Sequence, residues 1–509
     1  MKSKYLIILL LSLQLSSEAF TLTPIGIKLV NKLHRGEIQR VTSIKMVEEN
    51  KKKSTSISWS KNEGLQFFDI PATPEIWMIA IVYFIQGLLG ISRLALSFYY
   101  KDTLHLSPVD LTLISSITAI PWIIKPFYGF ISDTFPLFGY KRKSYLALSG
   151  ILGSISWCLM ALLAKSLQCG ILQGNTATIA TSIFLASLSS LSIAFSDVLV
   201  DAIVVGKSRD QSQAGSLQSL CWSSTAIGGI ISAYLSGYLF QNYGAPFVFT
   251  LTALMPLAMG ATSMLLDETK IKIAYQAQSE VEKPGTLTLL KLQVHNIAKV
   301  LSEKTLLYPL LFIIIWNITP SAGSALFYFE VNELGFKPEF LGVLGLASSL
   351  SSLAGIVIYN QKLKFIPLQT VFKWCCIVGT IIGMSPLILI THVNRSIGLP
   401  DAWFAIIDDV ILSILGQITF MPVLVLAANI CPPGVEAMLY ATIMGCINLS
   451  GSLGKIFGGL LTKYMGITNN NFKNLHWLVI LTNLSGLIPL MFLGLLPNNK
   501  NKNETDAEK

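Results

Sequence analysis

Five charged residues, Arg93, Lys125, Asp197, Asp201 and Lys455, lie inside long apolar stretches of this 509-residue chain. Charge within a lipid core is expensive, so such residues face a cavity or a partner. Arg93 sits roughly 24 Å along its stretch from Trp77, at about 1.5 Å per helical residue. Lys125 precedes Pro126, which disturbs a helix. Asp197 and Asp201, four apart, share one helix face. Two kinds of chemistry follow. Arg93, together with Lys125, can hold the negative groups of an anionic solute, because a guanidinium grips a carboxylate through two parallel bonds. Asp197 can pair with those cations or carry a proton, since burial favours the neutral carboxyl and a basic neighbour the charged one. A structural reading stands beside these: an Arg93–Asp197 or Lys125–Asp197 ion pair that fixes helix packing. Lys455 either snorkels or lines the pathway from the second half. All five are candidate substrate-binding residues.

The elements that must carry them are membrane helices. The chain is 52% hydrophobic and 13% charged, against about 25% charged in soluble domains. Apolar stretches fall near 76–99, 111–131, 145–164, 177–205, 215–240 and 247–266, then near 306–329, 340–360, 371–391, 403–429, 436–462 and 475–496. Each approaches or exceeds the roughly 20 residues that cross a bilayer. This predicts an all-α integral membrane protein with twelve spans in two groups of six. The six-helix bundles are placed at 71–266 and 306–497, joined by a polar loop at 267–305, with a disordered tail at 498–509. A shift of 222 residues puts Gly229 on Gly451, Gly237 on Gly459 and Gly244 on Gly466, the mark of a parallel internal repeat. Pro320 and Gly323 predict a broken seventh helix.

The net charge of +9 sits in short loops, so membrane topology accounts for it better than nucleic acid does. Lys141, Arg142, Lys143, Lys207, Arg209, Lys362, Lys364 and Lys373 put one set of loops, the central loop and both termini on the positive side. The seven cysteines form no metal-binding pattern, and the five histidines are scattered. There is no P-loop, H-E-x-x-H or G-x-S-x-G. The expectation is therefore a non-enzyme without metal or cofactor, and one that does not pump with ATP through this chain.

Lys2 and Lys4 precede the apolar run Tyr5–Leu15 and the small residues before Phe20, which reads as a signal peptide at 1–19. Residues 20–47 hold five basic residues against Glu37 alone, and 20–70 is read as a transit-peptide-like polar segment. The pair resembles the bipartite presequence of algae with secondary plastids. A plain signal peptide or basic tail is the other reading. The expected location is a plastid envelope, with the plasma membrane or another endomembrane as the alternative.

The loop after the second stretch carries Gly129-Phe-Ile-Ser-Asp133 and then Gly139-Tyr-Lys141-Arg142-Lys143. It resembles the loop between the second and third helices of the major facilitator superfamily. That resemblance implies a latch of Gly129, Asp133, Gly139, Lys141 and Arg142, in which the aspartate accepts hydrogen bonds from a neighbouring helix N-terminus and the basic residues and joins the two halves on the positive side while the other face is open. The spacer Thr134–Phe138 makes it a longer variant.

A finer resemblance rests on several motifs. The first half holds Gln86-Gly87-x-x-Gly90-x-Ser92-Arg93-Leu94-Ala95, Pro121-Trp122-x-x-Lys125-Pro126 and Ser196-Asp197-x-x-x-Asp201-Ala202. The second half holds Phe420-Met-Pro-Val-Leu-Val-Leu-Ala-Ala428 and Cys431-Pro-Pro-Gly-Val-Glu436-Ala437. Across about residues 75 to 496 the chain resembles the folate–biopterin transporter family. This implies a carrier for folates or pterins that works by alternating access and is driven by a cation, here a proton, as a monomer in the bilayer. Folate carries two carboxylates, which suits Arg93. A carrier of another small organic anion or heteroaromatic metabolite, and a non-transporting membrane receptor, are the competing readings. Trp122, Tyr128, Trp222, Trp316, Phe327 and Tyr328 are candidates to stack a pterin ring.

Overall fold

A computed structural model describes residues 59–60, 64–67, 70–207, 214–269, 302–363, 366–429 and 436–496. The signal peptide, most of the basic segment, most of the central loop and the C-terminal tail lie outside these residues. The chain forms two compact units, Met1–Asp69 and Ile70–Lys509. In the first, β1 (Trp59–Ser60) and β2 (Gly64–Phe67) pair antiparallel, with Trp59 opposite Leu65 and Ser60 opposite Gly64. Counting apolar runs gives no sign of this short hairpin.

In the second unit, helices occupy each of the twelve apolar stretches. They are α1 (Pro74–Thr103), α2 (Pro108–Thr134), α3 (Lys143–Gln168) and α4 (Thr176–Lys207). The continuous run Ala214–Ala261 supplies α5 and α6. The second half holds α7 (Lys304–Asn317 and Gly323–Asn332), α8 (Pro338–Leu363), α9 (Leu368–Ile390), α10 (Asp401–Asn429), α11 (Glu436–Tyr464) and α12 (Leu475–Leu495). Among the described residues, nine helical runs are long and apolar enough to cross a membrane. The 48 residues from Ala214 would stretch about 72 Å as one rod, far beyond a hydrocarbon core of about 30 Å. Gly244, at φ 74°, breaks the rod, so 214–243 forms α5 and 245–261 forms α6. A positive φ is open to glycine at no steric penalty.

Local chemistry fixes the starts of several helices. Thr73 caps α1, and Ser107 with Asp110 forms a reciprocal capping box at α2. Both α2 and α8 begin on a proline, Pro108 and Pro338, where a missing N–H is harmless. Proline also accounts for the breaks. α2 interrupts around Pro121 and Pro126, and α7 parts between Asn317 and Gly323, around Pro320.

Glycine sets how closely the helices approach. A Cβ on Gly228 of α5 would lie 2.2 Å from the Phe84 carbonyl oxygen of α1, whereas one on Gly229 would meet nothing within 4 Å. The two therefore predict opposite outcomes. Gly228→Ala forces two backbones apart and should lower stability by about 1–3 kcal/mol. Gly229→Ala should leave it unchanged or raise it by up to about 1 kcal/mol through helix propensity. Thermal unfolding of the two variants in detergent checks this.

The repeat is visible in backbone geometry. Gly244 ends α5 at φ 74° and Gly466 follows α11 at φ 67°. Gly229 and Gly451 both face open space. Gly237 of α5 abuts Pro338 and Gly342 at the start of α8, and Gly459 of α11 abuts Thr112 at the start of α2. The two seams between the halves are thus copies of one arrangement. At the end away from the basic loops, further contacts join the halves. The Tyr328 hydroxyl donates to the Leu106 carbonyl (2.6 Å), Lys101 lies over the Tyr328 ring (5.8 Å), and Phe98 meets Phe327 edge-on (5.4 Å).

Candidate functional site

α1 presses its glycine face against α5 through Gly87 and Gly90, the latter against Ser232. Beyond this contact the helix restarts at Ile91 and presents Arg93. Arg93 is exposed, and among the described residues its guanidinium has no hydrogen-bond or ion-pair partner. Lys455 of α11 is also exposed and lies within electrostatic reach of Arg93. Both helices run away from the basic side. Arg93 comes nineteen residues after Pro74, and Lys455 nineteen after Glu436. They therefore stand at the same depth, one from each half, facing a shared interior. Two like charges in a membrane repel each other and are expensive to keep.

Lys125 is arranged differently. The broken middle of α2 turns its ammonium into the first half, where it forms an ion pair with Asp197 of α4 and lies 4.7 Å over the Trp122 ring. Lys125 and Asp197 are 9% and 8% exposed, so each charge depends on the other. The Tyr128 hydroxyl donates to the Pro121 carbonyl (2.9 Å), occupying an acceptor near the helix break. Of the two ion pairs that the sequence left open, the structure forms Lys125–Asp197 and not Arg93–Asp197.

Asp201 lies one turn beyond Asp197. The Tyr83 hydroxyl of α1 donates to its carboxylate at 2.5 Å, and Cys221 of α5 is a near neighbour. Closer still to the basic side, Lys207 pairs with Glu75. Going inward from that face, the first half carries Lys207–Glu75, then Asp201–Tyr83, then Lys125–Asp197, and α1 continues to Arg93. At about 1.5 Å per residue, Asp201 is about 9 Å and Asp197 about 15 Å from Lys207.

The loop between α2 and α3 turns through left-handed Phe138 (φ 53°) and Gly139 (φ 83°), closed by pairing of Leu137 with Tyr140. The expected latch aspartate, Asp133, is 61% exposed and meets Arg142 at 4.0 Å. The carboxylate that caps a helix N-terminus here is Glu268, just after α6. It accepts from the backbone N–H groups of Lys141 (2.8 Å), Arg142 (3.1 Å) and Lys143 (2.8 Å). Arg142 also reaches the Ala202 carbonyl (3.4 Å), and Lys143 reaches that of Leu266 (3.2 Å). Lys141, Arg142 and Gly139 therefore tie α2, α3, α4 and α6 of one half together. A Cβ on Gly129 would make only ordinary contact with Val198 at 3.6 Å. An anion at a helix N-terminus is favourable. Glu268→Ala should therefore lower stability by about 1–2 kcal/mol, the size of a lost cap, read as a fall in unfolding temperature.

The aromatic candidates divide. Trp122 serves Lys125, and Tyr128 stacks on Phe195 (5.0 Å). Trp316 packs on Phe312 and Phe372 within the second-half core, Phe327 and Tyr328 belong to the seam, and Trp222 is exposed. Sequence reasoning did not single out Tyr83 or Glu268. It also passed over three acids of the second half, Glu330, Asp408 and Asp409, which lie within electrostatic reach of one another. Asp408 accepts from the Ser385 hydroxyl. Their signal was present, as charges at or inside apolar stretches.

The sequence profile of the BT1 family matches residues 86–509. A Synechocystis protein called folate-biopterin transporter is 45% identical over 438 residues, covering 86% of this chain and 84% of its own length. Folate transporter 2 of Plasmodium falciparum is 30% identical over 425 residues, covering 82% and 88%. Among solved structures, the nucleoside transporter NupG superposes with a TM-score of 0.60 at 15% identity, covering 83% of this chain and 98% of its own. A D-xylose-proton symporter gives 0.60 at 14% identity, covering 84% and 99%. At such identities the likeness is one of fold, and that fold is the major facilitator fold.

Proposed function

Because the chain belongs to the BT1 family, a family of membrane transporters, we propose that it is a secondary carrier of folates or pterins. It works by alternating access and draws on a proton gradient. The observation that carries this reading is the pair Arg93 and Lys455, one cation from each half, at one depth and in reach of each other. An anion bridging them holds the halves together at its own level. A folate, with two carboxylates on its tail, can answer both cations. Arg93 then takes one carboxylate as a fork and Lys455 acts as a point charge. Lys125 and Asp197, already satisfied by each other, stiffen the wall beside this place. Asp201 stands outside it, nearer the basic side.

The names of the Synechocystis and Plasmodium relatives support the cargo, and the resemblance of NupG and the xylose symporter supports the carrier architecture. The two bundles, 71–266 and 306–497, are the bodies that move. The loop of Gly139, Lys141 and Arg142, held by Glu268, steadies the first of them. We further propose that residues 1–19 and 20–70 direct the chain to a plastid envelope and that it works as a monomer.

Uptake of labelled folic acid and of biopterin into vesicles holding the purified protein, with and without an imposed pH gradient, tests the function. Gradient-stimulated uptake is expected. Silence with both compounds, in protein shown to be folded, removes the cargo and keeps the family. Counterflow of labelled substrate separates a carrier from a receptor, which binds without exchange.

A further inference from the structure

We propose that Asp201 is the group that takes up and releases the coupled proton, with Tyr83 as the hydroxyl that holds it in both states. This deepens the carrier reading above and rests on it.

The first argument is a balance of charge. Two carboxylates, Asp197 and Asp201, lie one turn apart on α4, with one ammonium, Lys125, between α2 and α4. The ion pair joins Lys125 to Asp197. The other groups around Asp201 are the Tyr83 hydroxyl on α1 and the Cys221 thiol on α5. Among the described residues, the remaining nearby cations are engaged elsewhere. Arg142 reaches Asp133 and the Ala202 carbonyl, and Lys207 pairs with Glu75. Among the described residues, the cluster of Asp197, Asp201 and Lys125 thus carries one uncompensated negative charge within a membrane span. A single proton neutralises it, and an intramembrane carboxylate without its own cation is where a proton is held at least expense.

Access is the second argument. Asp201 is exposed, whereas Asp197, one turn away, is 8% exposed. Of the two carboxylates, Asp201 is the one whose surface is not covered by the protein.

The third argument is the partner. A tyrosine hydroxyl both donates and accepts. Across the 2.5 Å contact it can donate to the ionised carboxylate and accept from the protonated one. The contact therefore survives the change of state without the loss of an ion pair that a lysine or arginine partner would suffer. The step balances simply: the Asp201 carboxylate gains a proton from water on the acidic face, and the carboxylic acid returns it to water on the other. Coupling arises through Lys125. An ionised Asp201 competes with Asp197 for that ammonium. A protonated Asp201 leaves it wholly to Asp197, drawing α2 and α4 together.

Two measurements on the purified, vesicle-embedded protein test this. The first compares counterflow of labelled folic acid, which needs no gradient, with accumulation driven by a pH gradient. Asp201→Asn is expected to keep counterflow, make it insensitive to pH, and lose gradient-driven accumulation. An Asp201→Asn variant that still accumulates, or one that folds but loses counterflow as well, overturns the assignment. So does a wild-type protein that exchanges folic acid but ignores the gradient. The second measurement needs no cargo. The infrared absorption of protonated carboxyls, followed through a pH titration, should lose one titrating band in Asp201→Asn, and that band should titrate at a shifted pH in Tyr83→Phe. An unchanged band in Asp201→Asn refutes the proposal even if folic acid proves to be the wrong cargo. Silence in the transport assay together with loss of the band leaves Asp201 as the proton site and discards only the cargo.

Discussion

Arg93→Ala is expected to cut uptake at low substrate concentration by about 10- to 150-fold, which is the loss of about 1.5–3 kcal/mol for a hydrogen bond to a charged group. The protein should remain as stable as the wild type. Both halves of this expectation come from the same fact: among the described residues Arg93 has no partner within the protein. Removing it leaves no carboxylate stranded and no carbonyl bare. What is lost belongs to the bound state. Arg93→Lys should fall between, because the charge remains while the fork that matches a carboxylate is gone. Radiolabel uptake and thermal unfolding, measured on the same preparation, decide the matter. Normal uptake by Arg93→Ala would remove this residue from the substrate site. A fall in unfolding temperature equal to that of a core mutation would make it structural.

Lys125→Met should behave in the opposite way. Its ammonium is the partner of a buried carboxylate, and deleting it leaves Asp197 charged and unpaired. Breaking a buried pair from one side costs about 3–5 kcal/mol. Replacing both partners, Lys125→Met with Asp197→Leu, should restore most of that stability, since a buried ion pair and a well-packed apolar pair are often nearly equal in free energy. Denaturation in detergent of the two single variants and the double variant gives the cycle. If the double variant is as unstable as the sum of the singles, the two residues do not form the pair that the structure shows.

These two residues mark how far the sequence could be read. That both charges lie inside the membrane was plain from their apolar surroundings. So were the helices themselves, the breaks at Pro126 and Pro320, and the doubled glycines. Which cation faces which carboxylate was not plain. Lys125 and Asp197 are 72 positions apart, and the rotation of two helices about their axes decides whether they meet. The same applies to Tyr83. On an apolar stretch it is one aromatic among several, until α1 turns it toward Asp201. Glu268 was hidden for another reason. It lies at the start of a polar stretch that reads as a loop, and its role appears only when the end of α6 reaches the start of α3. The latch motif, read by resemblance, drew attention to Asp133. The carboxylate that caps a helix comes from a residue outside that motif.

The doubled glycines have one more consequence. In the shift that places Gly237 on Gly459, Lys455 falls on Ala233. Ala233 is packed against Gly345 in the α5–α8 seam, where its small size is what matters. The frame of the molecule is therefore repeated, while its charge is not. The two halves keep the same turns and close approaches, and they differ in the side chains they place in the interior. Each half contributes one cation, but from non-equivalent positions, since Arg93 falls on Ile315 and Lys455 on Ala233, so the interior does not share the symmetry of its scaffold. A molecule with a charged tail and a flat neutral head can settle in it in one sense only, although the scaffold around it repeats itself from one half to the other.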